Sequence, residues 1–170
     1  MPPLAVSFNA TIDTDALAFD TRLRDDSGNL VIDIAGRHDL ARGQGQGEVT
    51  LYPLIFLENG LQPSRLTPYF ANRIGPTTGR ISLAGPVFWS DAGVTSALIL
   101  AIEKLDTAID AVTVTGVNAA ITFDRLLPPS TLPSQQVAIG GIDLGLPLTD
   151  GRVAMRLDRD GQPLKIGRAS

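Results

Sequence analysis

Apolar residues recur at every second position over much of this sequence, and that period constrains the fold more than any other feature. In the stretch VTVTGVNAAITF, Val112 and Val114 precede Gly116, and Ile121 and Phe123 follow it. Successive side chains of a β-strand point to opposite faces of the sheet, so this period predicts a strand with one apolar face. The change of phase near Gly116 predicts a bulge or a tight bend, because glycine tolerates the backbone angles that a curved sheet requires.

The same alternation recurs along the rest of the chain. In LAVSFNATI, for example, Leu4, Val6 and Phe8 share one parity, while the residues between them are small or polar. The segment 93–105 also fits a helix, but its apolar residues share one parity up to about Ile102, which favours a strand. The pattern predicts strands at 4–12, 15–23, 30–36, 49–57, 79–90, 93–105, 112–123, 137–144, 152–158 and 163–166.

One short α-helix is predicted near residues 67–75. Thr67 is a suitable N-cap, Pro68 occupies the favoured first helical position, and Gly75 follows the last turn. Turns with an Asp-to-Gly signature are predicted at Gly28, Gly93, Gly151 and Gly161. Regular strands, such turns and a single short helix together predict an all-β, mainly antiparallel fold built from meanders.

Composition excludes several classes of function. The formal net charge is −4 and the chain has only two lysines, so it lacks the clustered cations of a nucleic-acid-binding surface. Cysteine is absent, which excludes disulfides and thiolate metal sites. Hydrophobic residues make up 44% of the chain but aromatic residues only 5%, so Leu, Ile, Val and Ala carry the apolar character. These side chains suit a smooth apolar surface and an ordinary sandwich core equally well.

Residues that carry chemistry are sparse. His38 is the only histidine and lies beside arginines, so it is interpreted as a surface or strand-edge residue. The glycine-rich GQGQGE lacks the Lys-Ser/Thr ending of a phosphate-binding loop and is interpreted as a flexible lead-in to a strand. The pairs Asp13/Asp15 and Asp106/Asp110 stand near strand ends, where solvated carboxylates are common. We therefore expect no catalytic residue, no metal and no cofactor.

Several phrases of the sequence resemble the C-terminal part of the YdbH family, relatives of AsmA in the bacterial envelope. They are LENGLQPSRLTPYF at 57–70, GRISLAGPVFWSDAG at 79–93, and GVNAAITFDRL, SQQVAIGGIDLGLPLTDG and DRDGQPLKI within 112–166. The resemblance covers roughly residues 38–167. It implies a curved, elongated β-sheet or taco-like groove whose concave apolar face carries phospholipids across the periplasm between the inner and outer membranes, without catalysis.

The resemblance also implies the setting of the chain. Residues 1–170 are expected to be one β-rich domain, a C-terminal section of a longer, inner-membrane-anchored envelope protein, with an outer-membrane protein as the partner at its end. No run approaches the roughly 18 apolar residues of a membrane-spanning helix, so this section itself is expected to be soluble. The resemblance implies that it lies in the periplasm. Its ligand would be a phospholipid or another molecule with acyl chains, and unprotected strand edges would allow edge-to-edge self-association.

The residues expected to line the groove are the apolar sets of equal parity. Some of them are expected to pack a core instead, and the alternation alone does not separate the two groups. The predicted lining residues are Leu4, Val6, Phe8, Leu17, Phe19, Ile32, Ile34, Leu51, Ile81, Leu83, Leu98, Leu100, Ile121, Phe123, Val153 and Met155.

Two other functions fit the sequence. The first is a structural or partner-binding β-domain of the cell envelope, with a closed core and no lipid groove. The second is an enzyme, which would need polar groups that converge in a pocket, whereas this chain offers alternation. Exposure of the apolar face separates the conduit from the closed domain.

Overall fold

The fold was analysed in a computed structural model that describes residues 3–71, 73–143, 145 and 147–157. The described residues form eleven strands and one helical segment between β4 and β5. The strands are β1 (Leu4–Asp13), β2 (Ala16–Asp25), β3 (Val31–Asp39), β4 (Gln44–Phe56), β5 (Thr78–Ser90), β6 (Gly93–Ser96), β7 (Leu98–Ile109), β8 (Val112–Leu126), β9 (Pro129–Thr131), β10 (Gln135–Asp143) and β11 (Pro147–Met155).

All eleven strands belong to one antiparallel sheet. Nine of them lie side by side in the order β1-β2-β3-β4-β5-β7-β8-β10-β11, while β6 pairs with β5 and β9 pairs with β8. Most neighbours in space are also neighbours in sequence, because short turns join consecutive strands as in a meander. The all-β, mainly antiparallel fold predicted from the alternation is confirmed. The strand preference for 93–105 is confirmed as well, since β6 and β7 cover that segment.

The helical segment is shorter and lies slightly earlier than predicted. An α-helical turn, α1, spans Pro63–Leu66, and a 3-10 turn spans Pro68–Phe70. Thr67 caps the 3-10 turn, because its side chain accepts a hydrogen bond from the backbone N–H of Tyr69. Gln62 fastens this segment to the sheet: its amide donates to the carbonyl of Thr77 at 3.0 Å and accepts from the Thr77 N–H at 2.8 Å.

Strand β5 changes its partner halfway along its length. Its first half pairs with β7, and its second half pairs with β6. Gly85 stands at the change, with φ of +142°, and an added Cβ would lie 3.2 Å from the Cα of Leu98. A side chain at this position would be strained and crowded, so glycine permits the switch.

The phase change near Gly116 is a bulge, as predicted. Register with β7 shifts between Leu105/Val117 and Thr107/Val114, and Gly116 adopts φ of +63°. The Gly116 N–H donates to the carboxylate of Asp106 at 2.6 Å. This hydrogen bond satisfies a backbone donor that the bulge leaves without a partner on the neighbouring strand.

Two sequence interpretations are wrong in detail. Gly151 does not lie in a turn but pairs with Ile139 inside β11. The glycine-rich stretch is not a lead-in, because Gly45 and Gly47 belong to β4 and pair with β5. The predicted turn at Gly161 and the strand at 163–166 lie outside the described residues.

The turn between β2 and β3 is organised by a buried carboxylate. Asp25 is only 5% exposed. Its carboxylate accepts hydrogen bonds from the Ser27 hydroxyl and, at 2.9 Å, from the Leu30 N–H. The hydroxyl and then the N–H stabilise the ionised form, so they lower the pKa of Asp25 below its ordinary value.

Replacing this carboxylate changes how stability depends on pH. Because the pKa is lower in the folded state than in the unfolded state, the carboxylate stabilises the fold above about pH 4 and loses that effect as the pH falls through the folded value. Asp25→Asn is expected to lose on the order of 1 kcal/mol at pH 7, measured by urea unfolding, and to approach the original protein below pH 4. Asp26→Asn, at the exposed neighbour, is the control. A deficit that stays constant down to pH 3 contradicts this account.

Candidate functional site

Strand register places all sixteen predicted lining residues on one face of the sheet. Residues that pair across antiparallel strands project from the same face, so the pairing fixes the face of each side chain. One cross-strand row contains only large apolar residues: Val6, Leu23, Ile32, Leu51, Leu83, Leu100 and Ile121. At about 4.8 Å between strands, this row across seven strands is about 29 Å long.

A second row extends the apolar surface to the other edge of the sheet. It runs from β4 to β11 and is displaced from the first by two residues on β5, β7 and β8 and by three on β4. Its members are Leu54, Ile81, Ile102, Ala119, Val137 and Val153. The two rows overlap on four strands, β4, β5, β7 and β8. Every strand of the nine-strand path therefore contributes to one continuous surface, which we call the apolar face.

The apolar face is covered only in part. Of the sixteen predicted residues, Leu98 and Ile121 are buried, Val6 and Phe8 are more than 60% exposed, and the other twelve are half-buried. Burial of Leu98 at 0% exposure in a single-layered sheet requires that neighbours on the same face close over it. The surface is therefore sheltered near the middle strands and open towards β1.

A small hydrophobic cluster lies at one end of the apolar face. Leu54 and Phe56, at the end of β4, pack with Leu61, which precedes α1, and Leu66 and Ile81 flank them. A shift of register after Leu51 puts Leu54 and Phe56 on the apolar face. Leu54 was absent from the predicted lining residues, although Pro53 in the middle of a strand signals such an irregularity.

An aromatic cluster occupies the opposite end. The indole of Trp89 lies beside Phe19, with ring centroids 6.1 Å apart, and its N–H donates to Nδ1 of His38 at 3.0 Å. His38 is half-buried in β3, between β2 and β4, so the surface or strand-edge interpretation is wrong. Sequence reasoning missed this partner, because Trp89 is 51 residues away along the chain.

Glycines make room for these rings. An added Cβ at Gly36 would lie 2.7 Å from the ring of Phe19, and one at Gly45 would overlap the Trp89 indole and lie 2.6 Å from the Arg37 carbonyl oxygen. The rings therefore pack directly against the backbone of these glycines. The glycine-rich sequence serves close packing rather than flexibility.

The opposite face of the sheet carries the charges. Arg22 binds Asp33 through two hydrogen bonds of 2.6 Å, and the Tyr52 hydroxyl donates to the same carboxylate at 3.2 Å. The hydrogen bonds from Arg22 lower the pKa of Asp33, and the bonded carboxylate raises the pKa of Arg22. We call this surface the polar face.

One acid of each pair noted in the sequence stabilises a turn or a bulge. Asp13 accepts a hydrogen bond from the Thr14 N–H at 2.8 Å, and Asp106 accepts from Gly116. No three His, Cys, Asp or Glu side chains within the described residues lie close enough together to hold a metal ion. A helix that could cross a bilayer does not occur in that part of the chain either.

Gly45→Ala tests the packing of Trp89 on the strand. The methyl group forces the indole and the Arg37 carbonyl to move, so we expect a loss of about 1–3 kcal/mol in the free energy of unfolding and a shift in the emission of the single tryptophan. Gly151→Ala is the matched control, because its Cβ would meet only the Ile139 carbonyl at 3.9 Å. Equal effects of the two substitutions would contradict the assignment.

Comparison with known proteins assigns the family. No curated protein and no solved structure matches the chain significantly. A family model does match, over residues 2–170, which is nearly the whole chain and more than the part that carries the resemblance in sequence. This model is YdbH-like, described as intermembrane phospholipid transport protein YdbH, and the chain belongs to that family.

Proposed function

We propose that this chain is a non-catalytic section of a hydrophobic conduit that carries phospholipids between the inner and outer membranes. The observation that supports it is the unbroken apolar row from Val6 to Ile121, which continues on β10 and β11 through the second row. Family membership supplies the substrate class, because the family is described as one of intermembrane phospholipid transport.

Energetics favour such a surface. A lipid with two acyl chains exposes roughly 30 methylenes, and their transfer to water costs on the order of 20 kcal/mol. A row about 29 Å long is comparable to the roughly 30 Å hydrocarbon core of a bilayer, which two opposed acyl chains fill. The apolar face can therefore replace the membrane interior along the whole length of one acyl chain, while the headgroup remains in water.

The exposure of the apolar face argues against the closed-domain alternative. In a closed sandwich, most inward-facing side chains of both sheets are buried. Here two of the sixteen residues are buried, and the described strands form one sheet, with no second sheet packed on it. The proposal places this section in the periplasm, as part of an inner-membrane-anchored protein that meets an outer-membrane protein at its far end.

Photo-crosslinking tests which face contacts lipid. Leu100 and Ile99 are adjacent large aliphatic residues of β7, but they project to opposite faces. A photoreactive amino acid at position 100 is expected to capture phospholipid in cells, and the same residue at position 99, which is 47% exposed on the polar face, is expected to capture little. Equal capture from both positions, or none from position 100, would refute the proposal.

Charge on the apolar face should abolish lipid binding. Val6 and Phe8 are exposed, so the variant Val6→Glu/Phe8→Glu is expected to fold. It places two carboxylates where acyl chains would lie. We therefore expect native mass spectra to show at least severalfold less co-purified phospholipid. Ala5→Glu/Ser7→Glu is the matched control, because these residues lie on the polar face of the same strand, opposite Arg24 and Arg22. Lipid retained by the first variant, or lost equally from both, counts against the conduit.

A further inference from the structure

A depression of about 750 Å³ opens on the polar face, at the end of the sheet where β3 turns into β4 and β5 into β6. Its floor is one cross-strand row made of Arg37, Gln46, Phe88 and Thr95. Its volume falls within the range typical of small-molecule sites. Because it lies on the face opposite the apolar rows, it is separate from the proposed lipid path.

Three arginines meet two carboxylates around this depression. Arg37 belongs to the floor, while Arg42 and Arg125 approach from the β3–β4 turn and from the end of β8. The acids are Asp15 and Asp39. Asp39 is already engaged, since one of its oxygens accepts the N–H groups of residues 41 and 42 at 3.0 and 2.9 Å, and the other lies 3.8 Å from the Arg42 guanidinium.

Arg37 and Arg125 have no acidic partner among the described residues, in contrast to Arg22 and Arg80. Arg22 forms an ion pair with Asp33 across β2 and β3, and Arg80 forms one with Glu103 across β5 and β7. Arg37 instead stands between Ala18 and Gln46 on the neighbouring strands. Arg125 is half-buried at the edge of the depression, so part of its hydration is lost without compensation from a carboxylate.

We propose that this depression binds the phosphate group of a phosphate ester. Guanidinium groups match the geometry of phosphate oxygens with paired donors, and the amide of Gln46 and the hydroxyl of Thr95 add neutral donors on the floor. Phe88, which is 42% exposed in the same row, offers an apolar surface for the organic part of the ester. Such an ester is either a small soluble molecule or the headgroup of a phospholipid.

Calorimetric titration of the full chain at low salt tests the proposal with inorganic phosphate, glycerol 3-phosphate and dihexanoyl phosphatidylglycerol. We expect saturable binding of the phosphate compounds, weakened at least tenfold by Arg37→Gln/Arg125→Gln and measurably by Arg37→Gln alone. Arg24→Gln/Arg152→Gln removes the same charge from exposed polar-face positions outside the depression and should leave binding within twofold.

The third compound distinguishes the source of the phosphate. Affinity equal to that of glycerol 3-phosphate indicates a soluble ester, and tighter binding indicates a lipid headgroup whose acyl chains reach the exposed Phe88 of the same floor. Absence of saturable binding by the two soluble phosphates, or an equal loss in the control variant, overturns the proposal. If the conduit proposal alone is wrong, position 100 captures no phospholipid, while the soluble phosphates still bind to the depression.

Discussion

Everything in this structure depends on the register of strand pairing. Side chains alternate between faces with a period of two, so a slip of one residue in any strand would move its apolar set to the polar face. The row from Val6 to Ile121 exists because six successive pairings keep the same parity. Cross-strand bonds such as those between Arg22 and Asp33 hold the parity from the opposite face, where a slip would separate the two charges.

Bulges correct the register where the sequence departs from strict alternation. Strands β7 and β8 each contain one extra residue, the first near Lys104 with φ of +47° and the second at Gly116 with φ of +63°. The Lys104 N–H donates to the side chain of Asn118 at 3.0 Å. The bulge on β7 lets Leu105 pair with Val117 on the apolar face, and the bulge on β8 restores the original register from the Thr107/Val114 pair onward. Without the two bulges, the end of β7 after Lys104 and the start of β8 before Gly116 would present the opposite face.

The sequence was sufficient for features that depend on local periodicity and insufficient for those that depend on distant contacts. Parity alone placed residues from Leu4 to Met155 on one face, because antiparallel pairing preserves parity across strands. It missed Leu54, since the shift after Leu51 changes the parity inside a single strand. It also missed the bond between Trp89 and His38 and the purpose of Gly45, which only strand pairing over long separations creates. The depression on the polar face was missed for the same reason, because strands that are distant in sequence, β3, β5 and β8, supply its arginines and its aromatic floor.

A conduit requires uniformity more than affinity, and the apolar face meets that requirement. A ligand that moves must be held well enough to enter and weakly enough to leave, and a polar group in the path would act as a trap or a barrier. The first row is aliphatic from Val6 to Ile121, and the second row continues to Val153 without a polar residue. The second row is displaced by two residues on β5, β7 and β8, about 7 Å, so the path of the proposed conduit would cross the strands obliquely. An acyl chain on that path would pass from one row to the other on the four shared strands, where it would lose no apolar contact.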